Sequence, residues 1–281
     1  MRIVPSGDRK RIKKREDGPA PKMLDLSRKK LFLFDLDGVL TSGKENPVKL
    51  GGTEVINRIR ARGKRFFVVT NDSTDTVETV HERLTRFEIP VRHEEILTSA
   101  KLTAQYVAKR RPGATYFLVG EKGLETELAR EGLRRTTGKK ADFVVVGLDR
   151  WLTYDKLDRA QEVARNGASI VACHSARLYM YESRVAMAVG PIVRAIEYAS
   201  SKRAVAIGKP SRLMFELALE KAGCGPRDAV MVGDQEETDI VGAKKMGITG
   251  IIVKTGVFSR GETRTAADAI VERVDDIADS V

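Results

Sequence analysis

The stretch Lys30-Leu31-Phe32-Leu33-Phe34-Asp35-Leu36-Asp37-Gly38-Val39-Leu40 places four apolar residues directly before two carboxylates and a glycine. A short run that is apolar at every position is typical of a strand buried on both faces, as in a parallel sheet. Asp35 and Asp37 then belong at the carboxyl end of that strand, where open α/β sheets bind ligands, because burying an unpaired carboxylate is costly. Two neighbouring carboxylates repel each other, so either a cation lies beside them or one acid keeps its proton. The stretch therefore predicts a metal-assisted site in which the two acids have different tasks.

The same pattern of an apolar strand with a polar end recurs along the chain. A second apolar run, residues 65–70, ends in Thr70 and Asn71, and a third, residues 229–234, ends in Gly and Asp. Helical periodicity separates these runs, which is the alternation of a doubly wound α/β sheet. From Ile96 onward, a block of further strands and helices could simply continue the same sheet. It is long enough to form a unit of its own, however, and the next acid-bearing strand end appears only after it. We therefore predict a doubly wound, Rossmann-like parallel-sheet core with a second, inserted α/β domain.

Composition favours a folded protein without membrane spans. Hydrophobic residues make up 42% of the 281 residues, which is enough for a substantial core. No apolar run approaches the roughly 20 residues that cross a bilayer, and the charged N-terminus lacks the apolar segment of a secretory signal. Cys173 and Cys224 stand apart, without the spacing of a disulfide framework or a zinc motif. These features predict a cytoplasmic protein.

Most of the excess positive charge lies at the N-terminus. The net charge is +11, and residues 1–30 hold 11 Lys and Arg against 4 Asp and Glu, a net +7. Residues 1–28 contain several prolines and no aromatic residue, so we predict a disordered basic leader. Contact of this leader with nucleic acid is the alternative to a solvated segment without a partner.

The polar groups at the strand ends form a chemically consistent set. Because the carboxyl ends of parallel strands share one edge of the sheet, two acids, a Thr-Asn pair, a lysine and a further acid pair can meet there. Carboxylates provide the oxygen ligands that Mg²⁺ prefers. A lysine, a hydroxyl and backbone N–H groups can hold the oxygens of an anion. Together with a carboxylate nucleophile, these groups indicate phosphoryl transfer through an aspartyl-phosphate.

Four segments carry a family resemblance. In chain order they are Asp35-Leu36-Asp37-Gly38-Val39-Leu40, Val68-Val69-Thr70-Asn71, Gly208-Lys209-Pro210 and Gly233-Asp234-Gln235-Glu236-Glu237-Thr238-Asp239-Ile240. Their order and spacing resemble the four signatures of the haloacid dehalogenase superfamily. The long insertion between the second and third segments resembles the large α/β cap of the NagD-like or p-nitrophenyl-phosphatase subfamily, and Val146-Gly147-Leu148-Asp149-Arg150 strengthens that match. The resemblance implies a catalytic core of residues 29–95 and 189–281, with a cap of residues 96–188.

The resemblance also implies roles for the two acids of the first segment. Asp35 would be the nucleophile and a ligand of Mg²⁺. Asp37 would protonate the leaving alcohol and then activate water, while its backbone carbonyl would face the metal. This division matches the different tasks that we expect from the mutual repulsion of the two acids.

Five further residues receive roles in the same way. Thr70, with the backbone of Asn71, would bind the phosphoryl oxygens, and Lys209 would neutralise charge on the nucleophile and the transferring group. Asp234 would ligate Mg²⁺. Asp239 would support either metal-bound water or Lys209, although acids are also common at helix starts without such a role.

The cap departs from its subfamily at the end of one strand. Where that subfamily has Ala-Thr-Asn-Pro-Asp, this chain has Ala172-Cys173-His174-Ser175-Ala176. Because the cap contacts the leaving group, the change affects the expected substrate rather than the core chemistry. His174 and Arg177 are therefore candidate specificity residues, with a structural His as the alternative for His174. We expect the bulky segment 177–181 to close over the site and Trp151 to lie in the core of the cap.

The leading hypothesis is a Mg²⁺-dependent hydrolase of a small phosphorylated metabolite. Two alternatives stay open: a phosphotransferase or mutase that returns the phosphoryl group to a sugar, and a binding or regulatory protein that has lost turnover. The complete acid set favours an enzyme, because a site kept for binding alone would not need Asp37 as an acid. The sequence does not select one phosphomonoester, and the cap offers a surface on which a homodimer could form.

Overall fold

A computed structural model describes residues 24–182, 184–260 and 265–281. Almost all of the predicted basic leader, for which contact with nucleic acid is the alternative, therefore lies outside the described residues. The folded part begins before residue 28, because Leu26 is buried and its N–H donates to the carbonyl of Ser280 at 2.9 Å. The predicted limit of the leader was thus a few residues too late.

The described residues form strands and α-helices in near alternation. The strands are β1 (Leu31–Phe34), β2 (Thr41–Ser42), β3 (Val48–Lys49), β4 (Arg65–Thr70), β5 (Ile96–Thr98), β6 (Thr115–Val119), β7 (Arg134–Arg135), β8 (Phe143–Val146), β9 (Ser169–Ala172), β10 (Leu178–Tyr181), β11 (Arg184–Met187), β12 (Ala204–Ala206), β13 (Ala229–Gly233), β14 (Thr249–Val253) and β15 (Ala269–Val271). The α-helices are α1 (Thr53–Ala61), α2 (Val77–Arg86), α3 (Ser99–Arg110), α4 (Lys122–Arg130), α5 (Tyr154–Arg165), α6 (Val189–Ser200), α7 (Arg212–Ala222) and α8 (Val241–Lys244).

A parallel sheet in the order β15-β14-β13-β1-β4-β5 forms the first domain. β1 lies at its centre because both of its faces are apolar. Phe32 and Phe34 pack with the apolar residues of α1 and α2, whereas Leu31 and Leu33 pack on the side of α7. The chain adds β4 and β5 on one side of β1 and later β13, β14 and β15 on the other. This arrangement confirms the predicted doubly wound core, and the order of strands reverses at β1, where such sheets bind ligands.

A second parallel sheet, in the order β12-β9-β8-β6-β7, forms the inserted domain. On one face, Phe117 and Val119 of β6 pack with the apolar residues of α5 and α6. On the other face, Leu118 and Val145 join the same apolar cluster as Leu33 of β1. The two domains therefore share a continuous hydrophobic core on this side.

The predicted domain limits at residues 96 and 188 do not coincide with the two sheets. β5 begins at Ile96 but pairs with β4 in the first sheet, and β12 follows residue 188 but pairs with β9 in the second. α6 was expected to return to the core, yet its apolar residues Ile192 and Ile196 pack in the inserted domain. By sheet membership, the insertion begins after Thr98 and ends near Ala206.

The inserted domain contacts the loop that follows β4. Gly123, at the start of α4, lies so close to the carbonyl of Thr74 that a Cβ on this glycine would overlap it. The N–H of Leu148 donates to Ser73 Oγ at 2.9 Å. These contacts place the carboxyl ends of the second sheet's strands next to the carboxyl end of β4.

One local prediction differs from the structure. Trp151 does not lie in the cap core: 78% of its surface is exposed, because it sits in the loop between β8 and α5, where its backbone N–H donates to Asp149 Oδ1 at 3.1 Å. The segment after β1 contains a short hairpin, β2–β3, which we call the flap hairpin. Among the helices of the described ranges, none combines the length and apolarity needed to cross a membrane.

Candidate active site

Three neighbouring strands of the first sheet end in predicted site residues. Asp35 follows β1, Thr70 ends β4 and Asp234 follows β13. The N–H of Asp35 donates to the carbonyl of Val232 at 2.9 Å, so the β1–β13 ladder continues up to the acid. Since β1 lies between the other two strands, the three residues lie side by side at the centre of the carboxyl edge.

A buried cluster of three carboxylates and one lysine forms the centre of the site. Oxygens of Asp35, Asp234 and Asp239 all lie within 4.8 Å of one another. Lys209, which is 1% exposed, places its Nζ at 2.7 Å from Asp35 Oδ1 and at 2.8 Å from Asp239 Oδ1. Desolvation raises the pKa of Asp35 to about 7, although the Lys209 ammonium acts in the opposite direction. One ammonium does not balance three buried carboxylates, so the cluster favours a further cation.

Asp234 carries an oxygen suited to bind that cation. The N–H of Val257 donates to its Oδ2 at 2.8 Å, whereas its buried Oδ1 accepts no hydrogen bond from the described residues. Desolvation, followed by the charge of Asp35, raises the pKa of Asp234 well above its usual range. A Cβ on Gly38, whose φ is +88°, would overlap the Asp234 carboxyl, so a glycine is required there. A donor set of carboxylate oxygens fits Mg²⁺.

Asp37 lies outside this carboxylate cluster. Its side chain is 50% exposed, and its Oδ1 accepts a hydrogen bond from Arg83 Nη1 at 3.3 Å. Desolvation of the carboxyl by the surrounding atoms raises the pKa of Asp37, while Arg83 acts in the opposite direction. The predicted metal contact of Asp37 therefore rests on its backbone carbonyl, and the side chain is available for another task.

Thr70 and Asn71 line the side of the site formed by β4. Thr70 is buried, and its Oγ1 accepts a hydrogen bond from the N–H of Asp72 at 3.0 Å. The Asn71 Nδ2 donates to the carbonyl of Lys209 at 2.9 Å, so its side chain fixes the loop that carries the lysine. Asn71 Oδ1 is buried and has no hydrogen-bond partner among the described residues.

Asp239 contacts Lys209 directly, which is one of its two predicted contacts. The residue is fully buried in a π-helical turn, Glu236–Ile240, and its Oδ2 accepts a hydrogen bond from the N–H of Gln235 at 3.0 Å. A Cβ on Gly233 would overlap the Asp239 side chain. The tight turn after β13 thus holds the Asp239 carboxylate beside the Lys209 ammonium.

The two candidate specificity residues differ in their surroundings. His174 follows β9, is buried, and lies against Gly208, next to Lys209. Desolvation lowers the pKa of His174 to about 4, so the ring is neutral at pH 7, and its Nδ1 accepts a hydrogen bond from the N–H of Ala176 at 3.3 Å. The remaining proton then lies on Nε2. The Arg177 side chain is 78% exposed and reaches Glu237 at 3.4 Å, at the outer edge of the site.

A charged network at the mouth of the site was not predicted. Lys44 of the flap hairpin places its Nζ at 2.9 Å from Asp72 Oδ2 and at 3.2 Å from Asp75 Oδ2. Asp75 Oδ2 in turn lies 3.8 Å from Nη2 of Arg83. Burial lowers the pKa of Lys44. The negative charges of Asp72 and Asp75 raise it by more, so the net shift is upward. The network links the flap hairpin to Arg83 and, through it, to Asp37.

The sequence contained a signal for Arg83. The apolar stripe of α2 includes Val80 and Leu84, and an arginine three residues after Val80 lies on the same face of the helix. A charged residue on an otherwise buried helix face requires an acidic partner. The partner itself could not be identified from periodicity alone.

A second hairpin, β10–β11, contacts the tip of the flap hairpin. Glu182 Oε1 accepts hydrogen bonds from the N–H groups of Lys44 at 2.9 Å and Glu45 at 3.0 Å. The hydroxyl of Tyr181 also donates to the Glu45 carboxylate. The segment that we expected to close over the site is therefore a β-hairpin strand whose tip meets the flap hairpin.

A groove of about 690 Å³ elsewhere on the first domain contains none of the predicted residues. It is lined by residues of β3, α1 and the segment around Arg273. Asp275 accepts hydrogen bonds there from the N–H groups of Gly52 at 3.0 Å and Val55 at 3.2 Å. Because Asp275 already caps the start of α1, we assign no function to this groove.

Two family models match the chain. Residues 32–134 match the model described as haloacid dehalogenase-like hydrolase, and residues 206–280 match a second hydrolase model of the same type. The matched ranges contain all of β1 except Leu31, the two acids that follow it, β4, and the segment from Lys209 to Asp239.

Two named proteins and a solved structure are similar to this chain over most of its length. The 5'-nucleotidase YutF of Bacillus subtilis is 31% identical over 229 residues, which cover 82% of this chain and 88% of that protein. The acid sugar phosphatase of Staphylococcus aureus is 34% identical over 228 residues, covering 81% of this chain and 87% of that protein. The p-nitrophenyl phosphatase from Archaeoglobus fulgidus superposes with a TM-score of 0.81 at 28% identity, over 90% of this chain and 99% of that structure.

Proposed function

Because the chain belongs to the haloacid dehalogenase-like hydrolases and is a phosphomonoester hydrolase, we propose that it cleaves a small phosphorylated metabolite in the cytoplasm, with Mg²⁺, through an aspartyl-phosphate on Asp35. The observation that carries this proposal is the buried contact between Asp35 and Lys209, 2.7 Å apart, beside Asp234 Oδ1, which has no hydrogen-bond partner among the residues that the structure describes. A nucleophilic carboxylate, a fixed cation and an oxygen that can bind a metal are the elements of phosphoryl transfer.

In the first step, an oxygen of Asp35 attacks phosphorus, and the bond between phosphorus and the ester oxygen breaks. Asp37 gives its proton to the departing alcohol oxygen, which otherwise leaves as an unstable alkoxide. The half-exposed position of Asp37 at the mouth of the site supports this role, because the leaving group must point outward. The raised pKa of Asp37 favours the protonated form that the step requires.

In the second step, Asp37 takes a proton from water, whose oxygen attacks phosphorus. The bond to Asp35 breaks, which regenerates the carboxylate and releases inorganic phosphate. Lys209 stays beside Asp35 throughout and offsets the negative charge on the transferring group. The hydroxyl of Thr70 and the backbone of Asn71 would hold the phosphoryl oxygens.

Asp35 and Asp234, with the backbone carbonyl of Asp37, would hold Mg²⁺. The metal supplies a positive charge that offsets repulsion between the attacking carboxylate and the phosphoryl oxygens. Asp239 would support Lys209 rather than bind the ion, since one of its oxygens contacts the ammonium and the other accepts from Gln235. His174 would present a neutral N–H from the cap beside the Lys209 loop.

Release of inorganic phosphate tests the proposed function. We expect a panel of p-nitrophenyl phosphate, sugar phosphates, nucleoside monophosphates and glycerol phosphate to yield phosphate with Mg²⁺. With EDTA, we expect release to fall at least about 100-fold, since metal charge contributes several kcal/mol to such transition states. No release from any ester would favour a binding protein. A phosphorylated sugar product in the presence of an added sugar would favour a phosphotransferase.

Thermal unfolding should reveal the metal site independently of turnover. The folded pKa of Asp35 is about 7 and that of Asp234 is also raised, so the metal-free folded state binds these protons more tightly than the unfolded chain. For Asp35, this contribution to stability is complete below pH ~4 and is lost as pH rises through about 7. Asp234 acts in the same direction. We therefore expect Mg²⁺ to raise the unfolding midpoint more at pH 8 than at pH 5.5.

The size of this effect follows from ligand binding to the folded state. At a Mg²⁺ concentration 100 times Kd, the gain is about 2.7 kcal/mol, or roughly 5–10 °C for a chain of this size. The variant Asp234→Asn should lose most of the shift, whereas the matched change Asp155→Asn, at an exposed position on α5, should keep it. An equal shift in wild type and Asp234→Asn would place the metal elsewhere.

A further inference from the structure

Arg83 is a buried cation outside the four segments that define the site. Its side chain is only 8% exposed, on the apolar face of α2. Removing a guanidinium from water is costly, so a nearby acid must compensate. Its Nη1 donates to Asp37 Oδ1 at 3.3 Å, and its Nη2 lies 3.8 Å from Asp75 Oδ2.

We propose that Arg83 is a positioning residue that orients the carboxyl of Asp37 toward the leaving group. The proposal rests on the proposed function, in which Asp37 transfers the proton. Arg83 binds Oδ1 alone, while Oδ2 accepts no hydrogen bond from any residue that the structure describes. With one oxygen fixed, rotation of the carboxyl is restricted, and Oδ2 stays available to the departing oxygen.

Other charged groups also face Asp37, but none replaces Arg83. They come from several elements, namely Asp35 after β1, Lys44 of the flap hairpin, Asp72 after β4 and Lys209 before α7. Lys209 contacts Asp35 and Asp239, and Lys44 contacts Asp72 and Asp75. Among the described residues, the hydrogen bond to the Asp37 side chain thus comes from Arg83 on α2. Val80 and Leu84 anchor this helix in the core.

The charged network holds Arg83 in turn. Asp75 lies between Arg83 and Lys44, because its Oδ2 is 3.8 Å from Arg83 Nη2 and 3.2 Å from Lys44 Nζ. Lys44 belongs to the flap hairpin, whose tip meets Glu182. The orientation of Asp37 is therefore set by a continuous set of contacts from α2 to the flap hairpin.

Esters with different leaving groups distinguish positioning from a general structural role. The p-nitrophenolate ion leaves without a proton, whereas an alkoxide from an alkyl phosphate needs one. Arg83→Met keeps the length of the side chain and removes its charge and its donors. We expect kcat/KM, which covers only the steps up to release of the alcohol, to fall at least about 10-fold for the best alkyl phosphate of the panel, because a positioned general acid contributes about 10²–10⁴ in rate. With p-nitrophenyl phosphate the loss in kcat/KM should be below about 3-fold, since Asp37 serves that ester only in the later attack of water.

Two further variants complete the comparison. Arg83→Lys keeps the charge on a shorter side chain that ends in one nitrogen, so it should show the same split between substrates with a smaller loss. If Arg83→Met does not fold, Arg83→Lys alone tests the proposal. Arg86→Met makes the same substitution at an exposed position of the same helix and should leave both rates unchanged.

A double variant tests whether Arg83 acts through Asp37. In an Asp37→Asn background, adding Arg83→Met should cause no further loss with the alkyl ester. A full additional loss, an equal loss with both esters, or no loss in the single variant would each overturn the proposal. If the wild type hydrolyses neither ester, the proposed function itself fails, and this inference fails with it.

Discussion

Asp35→Asn is expected to abolish phosphate release, with a loss in kcat of about 10⁴-fold or more, while the protein stays folded. An amide is not a competent nucleophile toward phosphorus, and removal of a nucleophile in other hydrolases costs losses of this order or larger. Because no aspartyl-phosphate can form, the loss should be as severe for p-nitrophenyl phosphate as for alkyl esters. That uniform loss separates the nucleophile from Arg83 and Asp37, whose effects on kcat/KM depend on the leaving group.

The same variant should not reduce the stability of the metal-free protein above pH 7. Asp35 is one of three buried carboxylates that share a single ammonium, and its own pKa is raised to about 7, so its ionised form is unfavourable there. Lys209 still contacts Asp239 in the variant. The matched control is Asp155→Asn, an exposed acid on α5. Turnover close to that of wild type in Asp35→Asn would contradict the proposed mechanism.

The core of the fold was predictable because its strands are apolar at every position. Four apolar residues in β1 specified a strand buried on both faces, and acids placed at its end specified the ligand-binding edge. The structure brings Asp35, Asp234, Asp239 and Lys209 together there, as strand ends in a parallel sheet require. This part of the site depends on topology, which the hydrophobic pattern encodes.

The domain limits and the mouth of the site were less predictable, because they depend on contacts distant in sequence. β5 and β12 are short strands whose sheet membership is decided by their neighbours, and nothing in three residues specifies that choice. The charge of Arg83 was visible on an apolar helix face, but its partner Asp37 lies 46 residues away. Trp151 was assigned to the core by its size, although its loop position exposes it.

Lys209→Met is expected to reduce both activity and stability, because the lysine serves two buried acids at once. Its Nζ lies 2.7 Å from Asp35 and 2.8 Å from Asp239, and these acids raise its pKa although burial acts in the opposite direction. Removing one partner of a buried ion pair typically costs about 3–5 kcal/mol, since the remaining charge is uncompensated. Loss of a fixed positive charge at the transferring group should lower kcat about 10²–10³-fold.

A second substitution separates the two effects of Lys209. In Lys209→Met with Asp239→Asn, one unpaired carboxylate is removed, so part of the lost stability should return while activity stays low. The control Lys221→Met changes an exposed lysine of α7 and should alter neither quantity. If the double variant recovered activity, Lys209 would serve only to neutralise Asp239. If Lys209→Met unfolded at the wild-type temperature, the ion pairs would not stabilise the site. Denaturation midpoints without metal and phosphate release with Mg²⁺ measure the two effects independently.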